Sequence, residues 1–92
     1  MSSETYKSYN DKLIGLSASC GLVVNGISKH AIERMVERNI SEVQAADIIT
    51  NSSITYPGNT EGTICQQKDG FRIVFNQKTG NIITAIDLRE DD

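Results

Sequence analysis

The sequence lacks several features that define large classes of proteins. It has no run of about 20 apolar residues, which a membrane-spanning helix requires. Residues 1–10 have neither the basic start nor the apolar centre of a secretory signal peptide. Repeats, linkers and low-complexity segments are also missing. A chain of 92 residues without these features predicts one compact globular domain, because it is too short for two.

Side chains that bind metals are scarce. The chain has two cysteines, Cys20 and Cys65, and one histidine, His30. The cysteines lack the close spacing of a zinc-binding pair, and one histidine with scattered carboxylates does not form a ligand set. We therefore expect no metal site and no cofactor. We also expect both cysteines to be reduced, because the chain has enough aliphatic residues to fold without a disulfide.

A surplus of basic residues, which nucleic-acid binding normally requires, is missing as well. The net charge is −3, from 9 basic and 12 acidic residues. Three of the acids form a tail at residues 90–92, so the rest of the chain is neutral. If the domain binds RNA, we expect a few local cations to do so, with modest affinity elsewhere.

The first quarter of the chain has the weakest pattern. Residues 1–12 are polar, and they predict a flexible lead before a single folded domain at residues 13–89. Between residues 10 and 27 the apolar residues fit a short helix followed by a short extended segment.

Two helices are predicted in the middle of the chain. Ser28 is a good N-cap for a helix over residues 28–38, and Asn39 suits the left-handed conformation that ends a helix. Ser41 and Gln44 have the spacing of a capping box for a second helix that ends near Thr50. Its predicted apolar stripe consists of Val43, Ala46 and Ile49 or Thr50.

The second half of the chain has the alternating pattern of β-strands, with frequent turn residues. Four strands are predicted, at residues 54–56, 62–67, 71–76 and 82–87. Their connections are only two to six residues long, so neighbouring strands must be antiparallel. The prediction is an α+β fold in which N-terminal helices pack on a four-stranded antiparallel β-meander.

The helix over residues 28–38 has two different faces. At about 100° per residue, one side is apolar and should face the core; it consists of Ala31, Ile32, Met35 and Val36. The other side carries His30, Arg34 and Arg38 at successive turns, with Glu37 between them. Charged outer faces are common on surface helices. Histidine is the unusual member, because it exchanges a proton near neutral pH.

This charged face has the groups needed to cleave RNA without a metal. A base must take the proton of the 2′-hydroxyl, an acid must protonate the leaving 5′-oxygen, and a cation must stabilise the phosphoryl oxygens. His30 can be the base or the acid, and Glu37 can fill the other role. Arg34 or Arg38 can hold the phosphate with two parallel hydrogen bonds.

Three residues of the predicted sheet are candidates for the opposite wall of such a site. Thr84 in the last strand is expected to share its side with Ile82 and Ile86. Arg72 interrupts an apolar strand and is a candidate phosphate contact, and Tyr56 is a candidate for stacking on a base. Each also has an ordinary structural explanation, as a strand residue, a solvent-facing arginine or a packed tyrosine.

Two segments resemble a known family. Residues 28–41 read S-K-H-A-I-E-R-M-V-E-R-N-I-S. They resemble the opening S-x-H-A-x-x-R-M-x-x-R-x-I-S helix of small toxin nucleases in the barnase, EndoU, colicin and RelE-like superfamily. Residues 76–86 are similar to that family's last hairpin, in which a strand bearing I-I-T follows a Thr-Gly turn. The family includes tRNA-cleaving C-terminal domains of CdiA effectors in contact-dependent growth inhibition, and the resemblance covers residues 27–87.

The resemblance implies a metal-independent ribonuclease toxin with tRNA as the expected substrate. Its catalytic residues match His30, Arg34, Thr84 and Arg38, whereas Asn39 stands where relatives often have glycine. A cognate immunity protein is implied as a partner, because such an enzyme endangers the cell that makes it. The resemblance also implies delivery as the C-terminal part of a larger secreted effector and action in the cytoplasm of the target cell. The neutral charge balance suggests that a host protein assists RNA binding.

Two other interpretations remain open at this point. The same fold can serve as a non-catalytic binding module of a toxin and antitoxin system, in which the face around His30 docks a partner. Alternatively, the chain is a small structural domain whose charged helix is only solvated surface.

Overall fold

The computed structural model describes residues 1–90, which form an α+β fold, as predicted. Its helices are α1 (Ser3–Leu13), α2 (Lys29–Glu37) and α3 (Glu42–Thr50). Its strands are β1 (Gly26–Ile27), β2 (Ile54–Pro57), β3 (Thr63–Lys68), β4 (Phe71–Asn76) and β5 (Asn81–Asp87). None of the helices in residues 1–90 is long and apolar enough to cross a membrane. Of the predicted acidic tail, residues 91 and 92 lie outside the described part of the chain.

The sheet contains the predicted meander and one additional strand. Strands β2 to β5 are antiparallel neighbours in chain order. The prediction of a four-stranded, purely antiparallel sheet is wrong, because β1 pairs in parallel with the outer edge of β5 and makes a five-stranded mixed sheet. A strand of two residues is too short to give a periodic signal, and its partner lies far along the chain.

The two central helices begin and end close to the predicted residues. The side chain of Ser28 caps α2 by accepting a hydrogen bond from the amide of Ala31 at 3.0 Å. Ser41 caps α3 in the same way through Gln44, at 3.1 Å. Asn39 has a φ of 57°, which confirms the left-handed turn after α2.

The first helix corrects the prediction of a flexible lead at residues 1–12. Helix α1 is capped by Ser2 and buries Tyr9 and Leu13 in the core. The hydroxyl of Tyr9 donates a hydrogen bond of 2.7 Å to the backbone oxygen of Ile40. Tyrosines occupy positions of the apolar stripe, so the segment looks polar in sequence although it is amphipathic. After Leu13 the chain is irregular up to β1, and the predicted helix does not continue there.

One face of the sheet and the three helices share a single core. Strand β4 contributes Phe71, Ile73 and Phe75 to this core, and the intervening residues of the strand point to the other face. The helices contribute Ala31, Ile32, Met35, Ala45, Ile48 and Ile49. The predicted stripe of α3 was wrong at Val43, which is 68% exposed, because α3 turns Ala45 and Ile48 to the sheet. Both cysteines are free thiols in this structure.

Gln66 joins the sheet to the helical layer. Its side chain is fully buried, and its amide nitrogen donates to the backbone oxygens of Ile48 and Ile49 at 3.2 and 2.6 Å. These carbonyls belong to the last turn of α3, where the helix itself supplies no partners. Its amide oxygen accepts from the backbone amide of Cys20 at 2.8 Å. Gln66 therefore closes α3 and holds the irregular segment before β1.

Candidate functional site

The charged face of α2 is an ion-pair cluster beside an unpaired histidine. Glu37 accepts hydrogen bonds from Arg34 and from Arg38, the latter at 3.2 Å. His30 is exposed and makes no hydrogen bond or ion pair with another residue of the described chain. Its ring nitrogens are therefore free to contact a ligand, whereas both arginines already share one carboxylate.

Arg38 is the most embedded member of this cluster. Its side chain is 26% exposed, and its Nε atom is buried without a hydrogen-bond partner in the described residues. Hydrogen bonds from Arg89 hold the pKa of the Asp87 carboxyl below its usual value, and the positive charge of Arg38 adds to this effect. The charge of Arg38 thus acts on the last residue of β5.

Helix α2 runs beside β5 in the same direction as the strand. At its start, the amide of Ser28 donates to the backbone oxygen of Ile82 at 3.1 Å. The hydroxyl of Ser28 donates to the backbone oxygen of Ile83 at 3.0 Å. At its end, the positive charge of Arg38 contributes to the lowered pKa of Asp87. The first turn of α2, which contains His30, is thus directly joined to the residue before Thr84.

The side chain of Thr84 lies on the open face of the sheet, away from the helices. Residues directly opposite in neighbouring strands share a face, and Thr84 is opposite Val74. Val74 lies between Ile73 and Phe75, which are buried on the other face. A β-bulge at Val74 and Phe75 inserts one additional residue in β5 and changes the alternation. The prediction that Thr84 shares its side with Ile82 is therefore wrong, because Ile82 points into the core.

The open face contains a groove of about 280 Å³, in which Thr84 and Arg72 are lining residues. Its floor includes Cys65, Val74 and Ile86. Arg72 is the single charged residue among those that line it in the described chain. Burial raises the pKa of the Cys65 thiol, and the charge of Arg72 opposes this shift. As far as the described residues line it, the groove is thus a mainly apolar surface with one cation and no carboxylate.

Tyr56 and Arg72, which the sequence suggested separately, are in contact. The Nε of Arg72 donates to the hydroxyl of Tyr56 at 2.7 Å, and the guanidinium lies 5.5 Å from the centre of the ring. The Tyr56 hydroxyl donates in turn to the side-chain oxygen of Gln67 at 2.7 Å. Sequence reasoning missed Gln67, since its position beside Tyr56 depends on the pairing of β2 with β3.

The predicted site residues thus form two groups on opposite sides of β5. His30, Arg34, Glu37 and Arg38 lie on α2, whereas Tyr56, Arg72 and Thr84 lie on the open face. No hydrogen bond within residues 1–90 joins the side chains of the two groups. Ile83 lines the groove and also a second depression of about 420 Å³ that extends to Ser28, the N-cap of α2.

Within residues 1–90, no group of three or more histidine, cysteine, aspartate or glutamate side chains is arranged to hold a metal ion. Comparisons with protein-family models, with curated proteins and with solved structures found no match.

Proposed function

We propose that this chain is a metal-independent endoribonuclease toxin, with tRNA as its expected substrate. The observation that carries the proposal is the pair of hydrogen bonds from Ser28 to β5. His30, the only histidine of the chain, is two residues after Ser28. Ile83, which accepts one of these two bonds, is the residue before Thr84. A ribonuclease needs a proton-transfer group next to groups that bind phosphate.

The proposed reaction is an attack of the RNA on itself. The 2′-oxygen forms a bond to phosphorus while the bond from phosphorus to the 5′-oxygen breaks. One group removes the 2′-hydroxyl proton and another returns a proton to the leaving oxygen, and His30 serves as one of the two. The guanidinium groups of Arg34 and Arg38 stabilise the charge on the phosphoryl oxygens. The Thr84 hydroxyl would contact the RNA from the other side of β5.

Glu37 has two roles in this proposal. By accepting from both arginines it holds their side chains on the exposed face of α2, which lowers the entropy lost when phosphate binds. It is also the carboxylate that both arginines contact, and it is our candidate for the second proton transfer. Tyr56 and Arg72 would contact the RNA on the other side of β5.

The biological setting that we propose follows from this activity. A domain that cuts cellular RNA needs a cognate immunity protein in the cell that makes it. The chain would act in the cytoplasm of a target cell after delivery as the end of a larger effector. With a net charge of −3, it lacks a general attraction for polyanions, so a host protein is proposed to assist RNA binding.

The test is cleavage of total bacterial RNA by the purified chain in the presence of a chelator. Acid-base attack by the 2′-hydroxyl leaves 2′,3′-cyclic phosphate and 5′-hydroxyl ends, and it leaves DNA intact. His30→Ala should lower the cleavage rate about 100- to 10,000-fold, because that is the usual contribution of one acid-base group. Lys29→Ala is the matched control, since Lys29 is exposed on the same helix and outside the cluster.

The same pair of variants can be tested in cells. Induced expression of the wild type and of Lys29→Ala should stop growth and produce discrete tRNA fragments, whereas His30→Ala should not. Intact RNA and normal growth with the wild type, both in cells and with cell extract added to the purified chain, would refute the proposal.

A non-catalytic binding module is the second candidate. The observation that favours it is the pairing of Arg34 and Arg38 with Glu37, because paired arginines are less available to phosphate. In that case His30→Ala would weaken binding to a protein partner, and the wild type would leave RNA uncut.

A further inference from the structure

The groove on the open face has a charge pattern that selects anions. Among residues 1–90, Arg72 is the one charged side chain that lines it, in a chain whose net charge is −3. Carboxylates, which would repel an anion, are missing from the lining residues of the described chain. The remaining surface is made of apolar side chains and hydroxyl groups, among them Val74, Ile86 and Thr84.

Arg72 is held in one orientation by a relay of two side chains. Gln67 accepts from the hydroxyl of Tyr56, which therefore must direct its lone pairs toward Arg72 and accept from its Nε. Both bonds are 2.7 Å long. Arginine has five N–H donors, and this arrangement uses the one on Nε. The four donors at the end of the guanidinium form no hydrogen bond with other residues in the described chain.

We propose that Gln67, acting through Tyr56, positions Arg72 to bind one phosphate group of a single nucleotide in the open-face groove. The terminal nitrogens of an arginine match two oxygens of a phosphate, and fixing the side chain beforehand reduces the cost of binding. The apolar floor is suited to the sugar or base of the same nucleotide. That the nucleotide belongs to RNA rests on the proposed ribonuclease function.

The size of the groove suits one nucleotide. Its volume of about 280 Å³ is near the lower end of the range of about 300 to 1,000 Å³ that is typical of small-molecule pockets. Gly58, Asn59 and Thr60, in the loop after β2, also line the groove. A side chain at Gly58 would place its Cβ 2.1 Å from the Thr63 hydroxyl oxygen, so the Thr63 side chain would have to move.

The test is a nuclear magnetic resonance titration of the full chain with adenosine 3′-monophosphate or uridine 3′-monophosphate. The Nε–H signal of Arg72 and the backbone amides of Val74 and Thr84 are the reporters. We expect the nucleotide to shift these signals and to bind more tightly than inorganic phosphate or the corresponding nucleoside. Equal binding of phosphate would overturn the assignment to a nucleotide, and equal binding of the nucleoside would overturn the phosphate contact.

Variants separate positioning from simple structural support. Arg72→Gln should weaken nucleotide binding about 10- to 100-fold, and Gln67→Leu or Tyr56→Phe about three- to tenfold. Adding Gln67→Leu to Arg72→Gln should cause no further loss, because Gln67 acts only through Arg72. Tyr6→Phe is the matched control, since the Tyr6 hydroxyl contacts Glu33 on α2 and is remote from the groove.

The outcomes also distinguish this proposal from the ribonuclease. If Gln67→Leu fails to fold, Tyr56→Phe alone removes the relay and gives the same comparison. If the losses of nucleotide binding from Gln67→Leu and Arg72→Gln added up in the double variant, the positioning role of Gln67 would be overturned. Nucleotide binding in the groove without RNA cleavage would support the subsite and refute the ribonuclease. Cleavage that depends on His30, with no shift of the groove signals by either nucleotide, would overturn the subsite alone.

Discussion

Gln66 and Gln67 are neighbours in β3 with the same side chain, but they lie on opposite faces of the sheet. Gln66 is fully buried and bonds to backbone groups of α3 and of the segment around Cys20. Gln67 is partly exposed and bonds to Tyr56, beside the groove. The comparison shows that the role of a polar strand residue is decided by its face, because successive side chains point to opposite sides.

The same division continues across β4 and β5. On the helix-covered face, Phe75 and Ile82 are packed with the helices in a continuous core. On the open face, Arg72 and Thr84 line the groove. Residues that stabilise the fold thus alternate with residues that are free to contact a ligand. Substitutions at adjacent positions should therefore have very different effects on stability.

The largest difference in stability is expected between Phe75→Ala and Val74→Ala. Phe75 is fully buried, so its truncation leaves a cavity and should lower the free energy of unfolding by about 3 to 5 kcal/mol. Val74 is partly exposed on the open face, and its truncation should cost about 1 kcal/mol or less. Urea denaturation measures both values. Similar losses for the two variants would contradict the division into a core face and an open face.

The two glutamines provide the second test. Gln66→Leu leaves buried backbone groups of Ile48, Ile49 and Cys20 with fewer partners, and it should cost about 2 to 3 kcal/mol. Gln67→Leu should change the free energy of unfolding by about 0.5 kcal/mol, because surface substitutions rarely do more. The main effect of Gln67→Leu should be weaker nucleotide binding. An equal loss of stability in both variants would show that Gln67 is structural.

Local signals explain why α2, α3 and the strands β2 to β5 could be predicted. Caps such as Ser28 and Ser41 act within one turn, and strand alternation is visible over a few residues. Helix α1 could not be found this way, because burial of Tyr9 depends on Ile40, which is distant in sequence. Strand β1 likewise depends on a partner at the other end of the chain.

The residue types of the candidate site could be predicted from the sequence, but their arrangement in space could not. His30, Arg34 and Arg38 share a face because helical spacing alone determines it. The face of Thr84 depends on the bulge in β5, and the contact of Gln67 with Tyr56 depends on strand register. Bulges and register are set by packing between strands, so a single sequence does not reveal them.

Ser28 and Ser41, the caps of α2 and α3, should differ in their effects on stability and on cleavage. Ser41→Ala removes only a cap and should lower the free energy of unfolding by about 1 kcal/mol, measured by urea denaturation. Ser28→Ala removes a cap and also the hydrogen bond to Ile83, so about 1.5 to 2 kcal/mol should be lost. If RNA is cleaved next to this link, Ser28→Ala alone should also slow cleavage. If Ser28→Ala and Ser41→Ala changed the cleavage rate equally, Ser28 would have no specific role at the cleavage site.

The smallest effect concerns Asp87, the carboxylate at the covered end of β5. Hydrogen bonds from Arg89 and the charge of Arg38 lower its pKa in the folded protein below the ordinary value of about 3.9. The unfolded chain then binds more protons in acid, so this contribution is present above that value and is lost as pH falls through the lowered pKa. In Asp87→Asn, urea denaturation should show a smaller loss of stability between about pH 5 and pH 2. Asp69→Asn is the control, because the Asp69 side chain is exposed and makes no hydrogen bond within residues 1–90. The same acid sensitivity in the wild type and in Asp87→Asn would mean that Arg38 and Arg89 do not stabilise this carboxylate.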